Sequence, residues 1–403
     1  KFYVNQTYDP DRWAIAAAAA KAVIDMDIYE LHTVEFDPKN PYPVAENVPT
    51  EPFPNGVGGI DPYRSYTDMF TGEGIIQTNK EFVWAMTSGN VHEYTRHSFP
   101  VYFGGWGGMS VPQRVIDCYL MMDGRPINNS SEQYPYDSDL THTIEGTGVT
   151  LGSYILMGNV PKMYYNREAR FYASIGFPGS FWPMNSATSS GHYNQTIKYY
   201  FDDPNGKSNN PVDHPPTGYV IKKYIHPSDA WEGTNARRMD KAFAMIRYAD
   251  ILLMYAEALN NLTTSYTVEI GEESVTVDRD QEEIRKAFNQ IRHRAGLPGL
   301  SQADLADPDR MQELIERERM VELLWENHRY YDVRRWGIYE REESIPITGM
   351  NTDGNKDSFY TRLSPNTSRI GGRVVNKKMV LLPIPLVEVR RLPSLDQNPG
   401  WEN

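Results

Sequence analysis

Apolar side chains recur at clear helical spacing in the last third of this chain and only weakly before it. In RYADILLMYAEALNN, Ile251, Met254, Tyr255, Ala258 and Leu259 fall at i, i+3, i+4, i+7 and i+8, one face of a helix. DQEEIRKAFNQIRHRAGLP repeats the pattern with Ile284, Ala287, Phe288, Ile291 and Ala295, and Gly296 followed by Pro298 stops it. A third helix is predicted to start near Asp307 and Pro308 and to continue through MQELIERERMVELLWENHRYYDV. Helices with a single apolar face and modest connections resemble helix-pair repeats, in which each pair buries its face on a neighbour. Upstream, residues 11–27 predict an Ala-rich helix. Residues 33–110 carry repeated Pro and Gly with no clear period, which predicts irregular loops on a scaffold built elsewhere. Between 111 and 235 only short candidate strands stand out, such as RFYASIGF and GYVIKKYI, separated by polar loops like NSATSSGHYNQ. The tail KMVLLPIPLVEVRRLPSLDQNPGWEN reads as extended and proline-punctuated.

Composition changes this picture in three ways. The 403 residues include 27 tyrosines, 30 glycines and 28 prolines, so the loops are both abundant and ring-rich. Such surfaces suit recognition, because a ring offers large contact area with little rotamer freedom to lose. The formal charge of −13 lacks the basic footprint that phosphate backbones require, which argues against general nucleic-acid binding. Cys118 is the single cysteine, so neither an intramolecular disulfide nor a cysteine-based zinc site is available. No apolar run is long enough to span a bilayer; the nearest, AIAAAAAKAVI, is interrupted by Lys21.

The third helix carries the most unusual chemistry. Leu314, Glu318, Val321 and Trp325 share one row, with Glu322 a turn beyond Glu318. A carboxylate facing inward must be paired and hydrogen-bonded. Arg317, Arg319, Arg329, Arg334 and Arg335 are near enough in sequence to supply partners. Together with Glu318 and Glu322, the stretch ENHRYYDVRRWG then reads as a polar lock, its other members being His328, Arg329, Asp332, Arg334 and Arg335. In it Tyr330, Tyr331 and Trp336 pack, and the helices are tied to the loop region. Two carboxylates also permit a glycosidase acid and base. However, residues at i and i+4 have Cβ atoms only about 5–6 Å apart, which favours a salt-bridge network. His328 has no second His or acid at metal-ligand spacing and reads as a packing residue.

IERERMVELLWENHRYYDVRRWG closely resembles the signature helix of the SusD/RagB family of nutrient-binding outer-membrane lipoproteins. RYADILLMYAEALN, FNQIRHRAGLP and LLPIPLVEV…LPSLDQNPGW resemble other C-terminal signatures of that family, in order. GGWGGMSVPQRVIDCYLMMDGRPI and REARFYASIGFPGSFW are similar to its middle segments, so the resemblance covers most of residues 100–403. It implies a mainly α fold: tetratricopeptide-like helix pairs supporting a large loop-rich ligand-binding region with few short strands. On that frame residues 1–32 are the remaining part of an N-terminal helical scaffold and 33–235 the ligand-binding region. Residues 236–340 are the C-terminal helix-pair scaffold, and 341–403 an extended segment packed on it. Family members normally begin with a lipobox cysteine and further helices, so an N-terminal portion bearing the lipid anchor is expected upstream of this numbering.

The resemblance implies a protein at the cell surface, anchored in the outer membrane, that captures oligosaccharides such as starch fragments. It implies delivery of them to a SusC-like TonB-dependent transporter. Peptide capture, as in the RagB branch, is the alternative within the family, and a glycoside hydrolase using paired carboxylates is the rival from another class. No nucleophile motif, phosphate loop or metal-ligand cluster is visible, so no catalytic residue, cofactor or metal is expected. Asp202, Asp203 and Asp213 read as solvated charge rather than a calcium site. Sugars present apolar C–H faces and dense hydroxyls, so a glycan site needs flat rings flanked by polar groups. Rings in Gly-, Ser- and Asn-rich loops are the candidates: Trp182, Trp231, Tyr134, Tyr136, Tyr193 and Trp106.

Overall fold

The computed structural model describes residues 8–71, 78–87, 91–367, 370, 373–392 and 394–402. Its helices are α1 (Pro10–Asp25), α2 (Pro62–Thr71), α3 (Val91–Arg96), α4 (Gln113–Cys118), α5 (Ala169–Ser174) and α6 (Tyr248–Asn260). They continue with α7 (Gln281–Arg294), α8 (Gln302–Ala306), α9 (Pro308–Glu322), α10 (Arg329–Arg335), α11 (Tyr339–Glu343) and α12 (Leu386–Arg391). The strands form two-stranded antiparallel pairs. β1 (Phe82–Met86) pairs with β8 (Phe243–Arg247), β2 (Gly148–Leu151) with β3 (Tyr154–Met157), and β4 (Ile175–Gly176) with β7 (Val220–Ile221). β5 (Ser180–Trp182) pairs with β6 (Gln195–Ile197), β9 (Tyr266–Ile270) with β10 (Glu273–Val277), and β11 (Gly349–Met350) with β12 (Arg362–Leu363). The fold is therefore mainly helical with small sheets.

Helix α6 is the axis of the helical layer. Every one of its residues except Met254 is buried, because α1, α7 and α9 all pack on it. Ala14, Ala17 and Ala18 of α1 lie at 0 % exposure, and their lack of bulk lets the two backbones approach closely. Local chemistry sets the helix ends. Asp280 accepts from the N–H groups of Glu282 and Glu283 to start α7, whose last turn holds Arg292, His293 and Arg294. Asp307 caps α9 in the same way, with Pro308 in its first turn.

Helix α9 differs from the sequence reading, which carried one helix through Val333. It stops at Glu322, and Trp325 (φ 62°) and Asn327 (φ 67°) turn the chain before α10 begins. Buried cations explain the stop. The Glu322 carbonyl accepts from Arg247 at 2.7 Å, Lys223 at 3.1 Å and the Tyr66 hydroxyl at 2.9 Å, and Lys223 also reaches the Leu324 carbonyl at 2.9 Å. Carbonyls at a helix C-terminus carry partial negative charge and have no partner within the helix, so inward-facing cations satisfy them and end the winding.

Three other expectations needed correction. RFYASIGF is mostly helix α5 with only Ile175–Gly176 in a strand, and all its α5 positions are buried, which erases the periodicity a sequence reading relies on. Residues 33–110, expected to be irregular, contain α2, β1 and α3. The tail, read as extended, contains α12.

A second core joins the loop-rich middle of the chain. Phe99, Phe171, Phe177, Trp182, Tyr164 and Tyr219 are among its fully enclosed rings. Most of the aromatic excess in this region is therefore packing.

Candidate functional site

Arginine and aromatic side chains meet in two places with opposite character. The first lies between the two cores. Five carboxylates, Glu81, Glu168, Glu318, Glu322 and Glu326, face five cations, Arg170, Lys223, Arg247, Arg292 and Arg294. Arg170 reaches Glu168 at 2.7 Å, Glu318 at 2.5 Å and Glu322 at 2.8 Å; Arg247 joins Glu81, Glu322 and Glu326 at 2.7–2.8 Å. Arg294 bridges Glu81 and Glu322. The charges balance, so each ion buried away from water has a counter-ion within ion-pair distance. Burial alone would raise the Glu322 carboxyl pKa, but Arg294, Arg247 and Arg170 outweigh it and hold it well below the usual carboxylate range. The same balance lowers Glu326.

The partners of Glu318 and Glu322 come from far along the chain, not from the neighbouring arginines expected at the sequence level. Arg170 belongs to α5 and Lys223 follows β7, so these two fasten the loop-rich region to α9. Arg170 lies in a stretch read as a short strand and Arg247 just ahead of the apolar row of α6, so neither position carries a sequence signal for an inward charge. The signal that could have found them is a surplus of inward carboxylates on α9 with too few arginines at reach.

Asp332 does the other half of the fastening. It accepts from Arg319 at 2.9 Å and Arg335 at 2.8 Å, while Arg319 also holds Asp250 at 2.8 Å. Arg335 and the Trp336 indole N–H, at 2.7 Å each, bind Glu257. Asp250 and Glu257 lie on α6, so this half ties α10 to the helical layer itself. Arg329 bonds Glu342 at 2.5 Å, and His328 Nδ1 lies 3.8 Å from Asp250. Arg334 lies apart from these acids: it donates to the carbonyls of Tyr330 and Val380 and stacks on the Tyr330 ring at 3.5 Å. Tyr330 and Tyr331, expected to pack, are exposed, because the short α10 turns that face outward. Glu318 and Glu322 are closed off by arginines and helices, so neither can reach a glycosidic oxygen.

The second place is on the surface, where three loops converge. The chain leaving α3 folds back through GGWGG: the Trp106 N–H bonds the Arg96 carbonyl at 2.8 Å and Gly107 bonds that of Phe99 at 3.1 Å. A Cβ on Gly105 would lie 2.0 Å from the Phe99 carbonyl oxygen, and one on Gly104 (φ 85°) 3.0 Å from Trp231 Cβ, so only glycine permits this close passage. The Arg96 guanidinium, anchored by Nε to the Gly104 carbonyl at 3.0 Å, then lies 4.6 Å from the Trp106 ring centre and 4.9 Å from that of Trp231. Arg238 covers Trp231 as well, at 4.7 Å. His97 meets Trp106 edge-on at 4.6 Å. The loop at 186–194 joins the third at 229–238 through Thr188, Ser189 and Asn235. It carries exposed Tyr193 and places His192 beside Phe103. Trp106 is 39 % exposed and Trp231 half-buried, and the Trp231 indole N–H has no hydrogen-bond partner.

The structure thus brings Trp106 and Trp231 together around Arg96, with Tyr193 exposed on the adjoining loop. Trp182 does not join them as a platform. At 1 % exposure it packs edge-on to Phe99 at 5.3 Å and gives its N–H to Ser180, so neither ring face is free. Tyr136 packs on the loop-region core and its hydroxyl accepts from Arg362, while Tyr134 lies against a separate apolar cluster with Val44 and Met122. Sequence reasoning missed Arg96 and Arg238, which lie outside any periodic segment.

A third feature is a cleft of about 460 Å³ lined by Tyr63, Arg64, Tyr154, Asn185, Asn194 and Lys222 among others. Trp182 stands behind it, with its ring centre 5.6 Å from the Lys222 ammonium. Among the described residues no group of His, Cys, Asp and Glu is arranged to hold a metal ion, and no helix is long and apolar enough to cross a membrane.

Paired helices that carry a loop-rich, ring-bearing region define a scaffold class seen in known proteins. The chain belongs to the SusD family, whose family model matches residues 79–401. SusD-like protein P2 of Formosa agariphila is 28 % identical over 185 residues, 45 % of this chain and 30 % of that protein. A SusD-like protein from Bacteroides fragilis has a solved structure with TM-score 0.65 and 25 % identity, covering 98 % of this chain and 63 % of its own. A SusD-like carbohydrate binding protein from the same species shares the fold at TM-score 0.63 and 18 % identity, covering 96 % and 61 %. The chain spans less than a third of the length of the curated relative and under two thirds of those solved chains.

Proposed function

We propose that this protein captures oligosaccharides at the cell surface on the Trp106–Arg96–Trp231–Arg238 stack and passes them to a SusC-like TonB-dependent transporter in the outer membrane. The observation that carries the reading is that stack. Its rings are partly open to solvent, and its guanidinium groups offer planar hydrogen-bond donors. A pyranose needs both kinds of contact, a flat apolar face for its C–H bonds and donors for its hydroxyls. Family membership supports the reading, and the shared fold with a carbohydrate binding protein of Bacteroides fragilis agrees with it. Anchoring by lipid and docking on the transporter belong to the same proposal.

A glycan and peptide array tests the ligand class. An oligosaccharide signal is expected, and a peptide signal alone overturns the reading. Trp231→Ala is then expected to weaken binding of the best glycan by about 2 kcal/mol, roughly thirtyfold, the loss typical of a buried-edge tryptophan anchor. Isothermal titration measures it, and an unchanged affinity removes Trp231 from the site.

A further inference from the structure

The Lys222 cleft is lined by residues that take no part in the Trp106–Arg96–Trp231–Arg238 stack. Lys222 is 7 % exposed, and its ammonium donates to the Phe181 carbonyl at 3.1 Å. It also faces the rings of Tyr154 at 5.2 Å and Trp182 at 5.6 Å. No carboxylate among the described residues pairs with it, although every other fully enclosed cation described above has one. An ammonium with three donors and one carbonyl is underprovided in a low-dielectric setting.

The other charged and titratable groups of the cleft do not supply the missing charge. Arg64 and Asp68, both on α2, bond each other at 2.8 Å and cancel. Tyr63, Tyr154 and His226 line the same space, and burial pushes both phenols far above neutral pH. The Tyr154 hydroxyl is buried beside the cleft with no hydrogen-bond partner. Asn185 and Asn194 add carboxamides, and Ser153 and Thr67 hydroxyls. The volume falls within the range of about 300–1,000 Å³ for small-ligand sites.

We propose that this cleft binds an acidic sugar, a pyranose bearing a carboxylate or sulfate whose anionic oxygens take the free donors of Lys222. The Tyr63 and Tyr154 rings meet the sugar face, and Asn185 and Asn194 meet its hydroxyls. The anion requirement comes from Lys222 alone, and the choice of a sugar to carry it rests on the function proposed above. Burial lowers the Lys222 pKa to about 8, so the ammonium form that attracts an anion is lost as pH rises through that value. Affinity for the acidic sugar is therefore full at neutral pH and falls in alkali, while that for a neutral sugar stays level.

The test is titration of D-glucuronate, glucose 6-sulfate and glucose against the wild-type protein and Lys222→Met. Wild type is expected to prefer at least one anionic probe over glucose by about tenfold near pH 7, the discrimination a charge-assisted hydrogen bond supplies. Which anion wins tells carboxylate from sulfate. The preference is expected to shrink at about pH 9.5 and to vanish in Lys222→Met, whose melting temperature stays level or rises because a solitary buried charge is gone. Equal affinity for glucose and both anions overturns the proposal, as does a preference that survives in Lys222→Met or an absence of binding by all three. A protein that binds neutral glycans at Trp231 yet shows no anion preference sinks this inference and leaves the proposed function standing.

Discussion

The inter-core network and the surface stack use the same residue types to opposite ends. In both, arginines lie over aromatic rings: Arg247 is 5.5 Å from the Phe70 ring centre, and Arg96 is 4.9 Å from that of Trp231. What differs is the carboxylates. Around Glu322 every guanidinium is matched by an acid, and nothing is left to offer a ligand. Around Trp231 neither guanidinium has an acid within ion-pair distance among the described residues, so donors and ring edges still face water. Charge pairing, rather than ring content, separates the scaffold from the proposed recognition surface in this chain.

The largest expected effect follows from breaking the matched side. Glu322→Ala removes an acid shared by three buried arginines and leaves one positive charge unbalanced, and the folded state is expected to lose about 3–5 kcal/mol, read from chemical denaturation. A loss under about 1 kcal/mol contradicts the network's role. Trp182→Ala is expected to cost a similar or slightly smaller amount, about 3–4 kcal/mol, since it empties a closed site in the loop-region core. Had this ring been a surface platform, the same change would leave stability untouched, so a melt distinguishes the two.

Acid acts on the same network with a smaller effect per group. Because Glu322 titrates lower when folded than when unfolded, its contribution is complete above the ordinary glutamate pKa and drains away as pH falls toward the depressed folded value. Between about pH 5 and pH 3 that amounts to about 2 kcal/mol for Glu322 alone. Denaturation midpoints that stay level over this interval contradict the ion-paired assignment. On the open side, Arg238→Ala is expected to leave folding unchanged within about 0.5 kcal/mol and to weaken glycan binding by about 1 kcal/mol, since an exposed cation–π contact is worth no more. Titration reads the second figure and a melt the first.

Legibility from sequence tracked periodicity. Helices α6 and α7 were readable because their apolar residues recur at i, i+3 and i+4, although α6 is enclosed on nearly every side, and Asp280 and Gly296 mark the two ends of α7. The break after Glu322 was not, because what ends α9 is a pair of cations from 75 and 99 residues away. The same distance hid the true partners of Glu318. At the candidate site, Trp106, Trp231 and Tyr193 stood out as rings in Gly- and Asn-rich loops, but so did Trp182. Loop composition cannot say which ring is capped by a neighbouring strand. Arg96 and Arg238 left no trace, since a guanidinium stacked on a ring has no sequence spacing of its own. The lone ammonium of Lys222 was equally silent, adjacent in sequence to Lys223, which is fully paired with Glu326 at 2.5 Å.

Hydrogen exchange with the best-binding oligosaccharide from the array puts the two regions in one experiment. Slower exchange is predicted in peptides spanning 96–107, 186–194 and 229–238, with 315–335 unchanged. Protection at 315–335 with none across the three loops would contradict the division between a sealed scaffold and an open recognition surface.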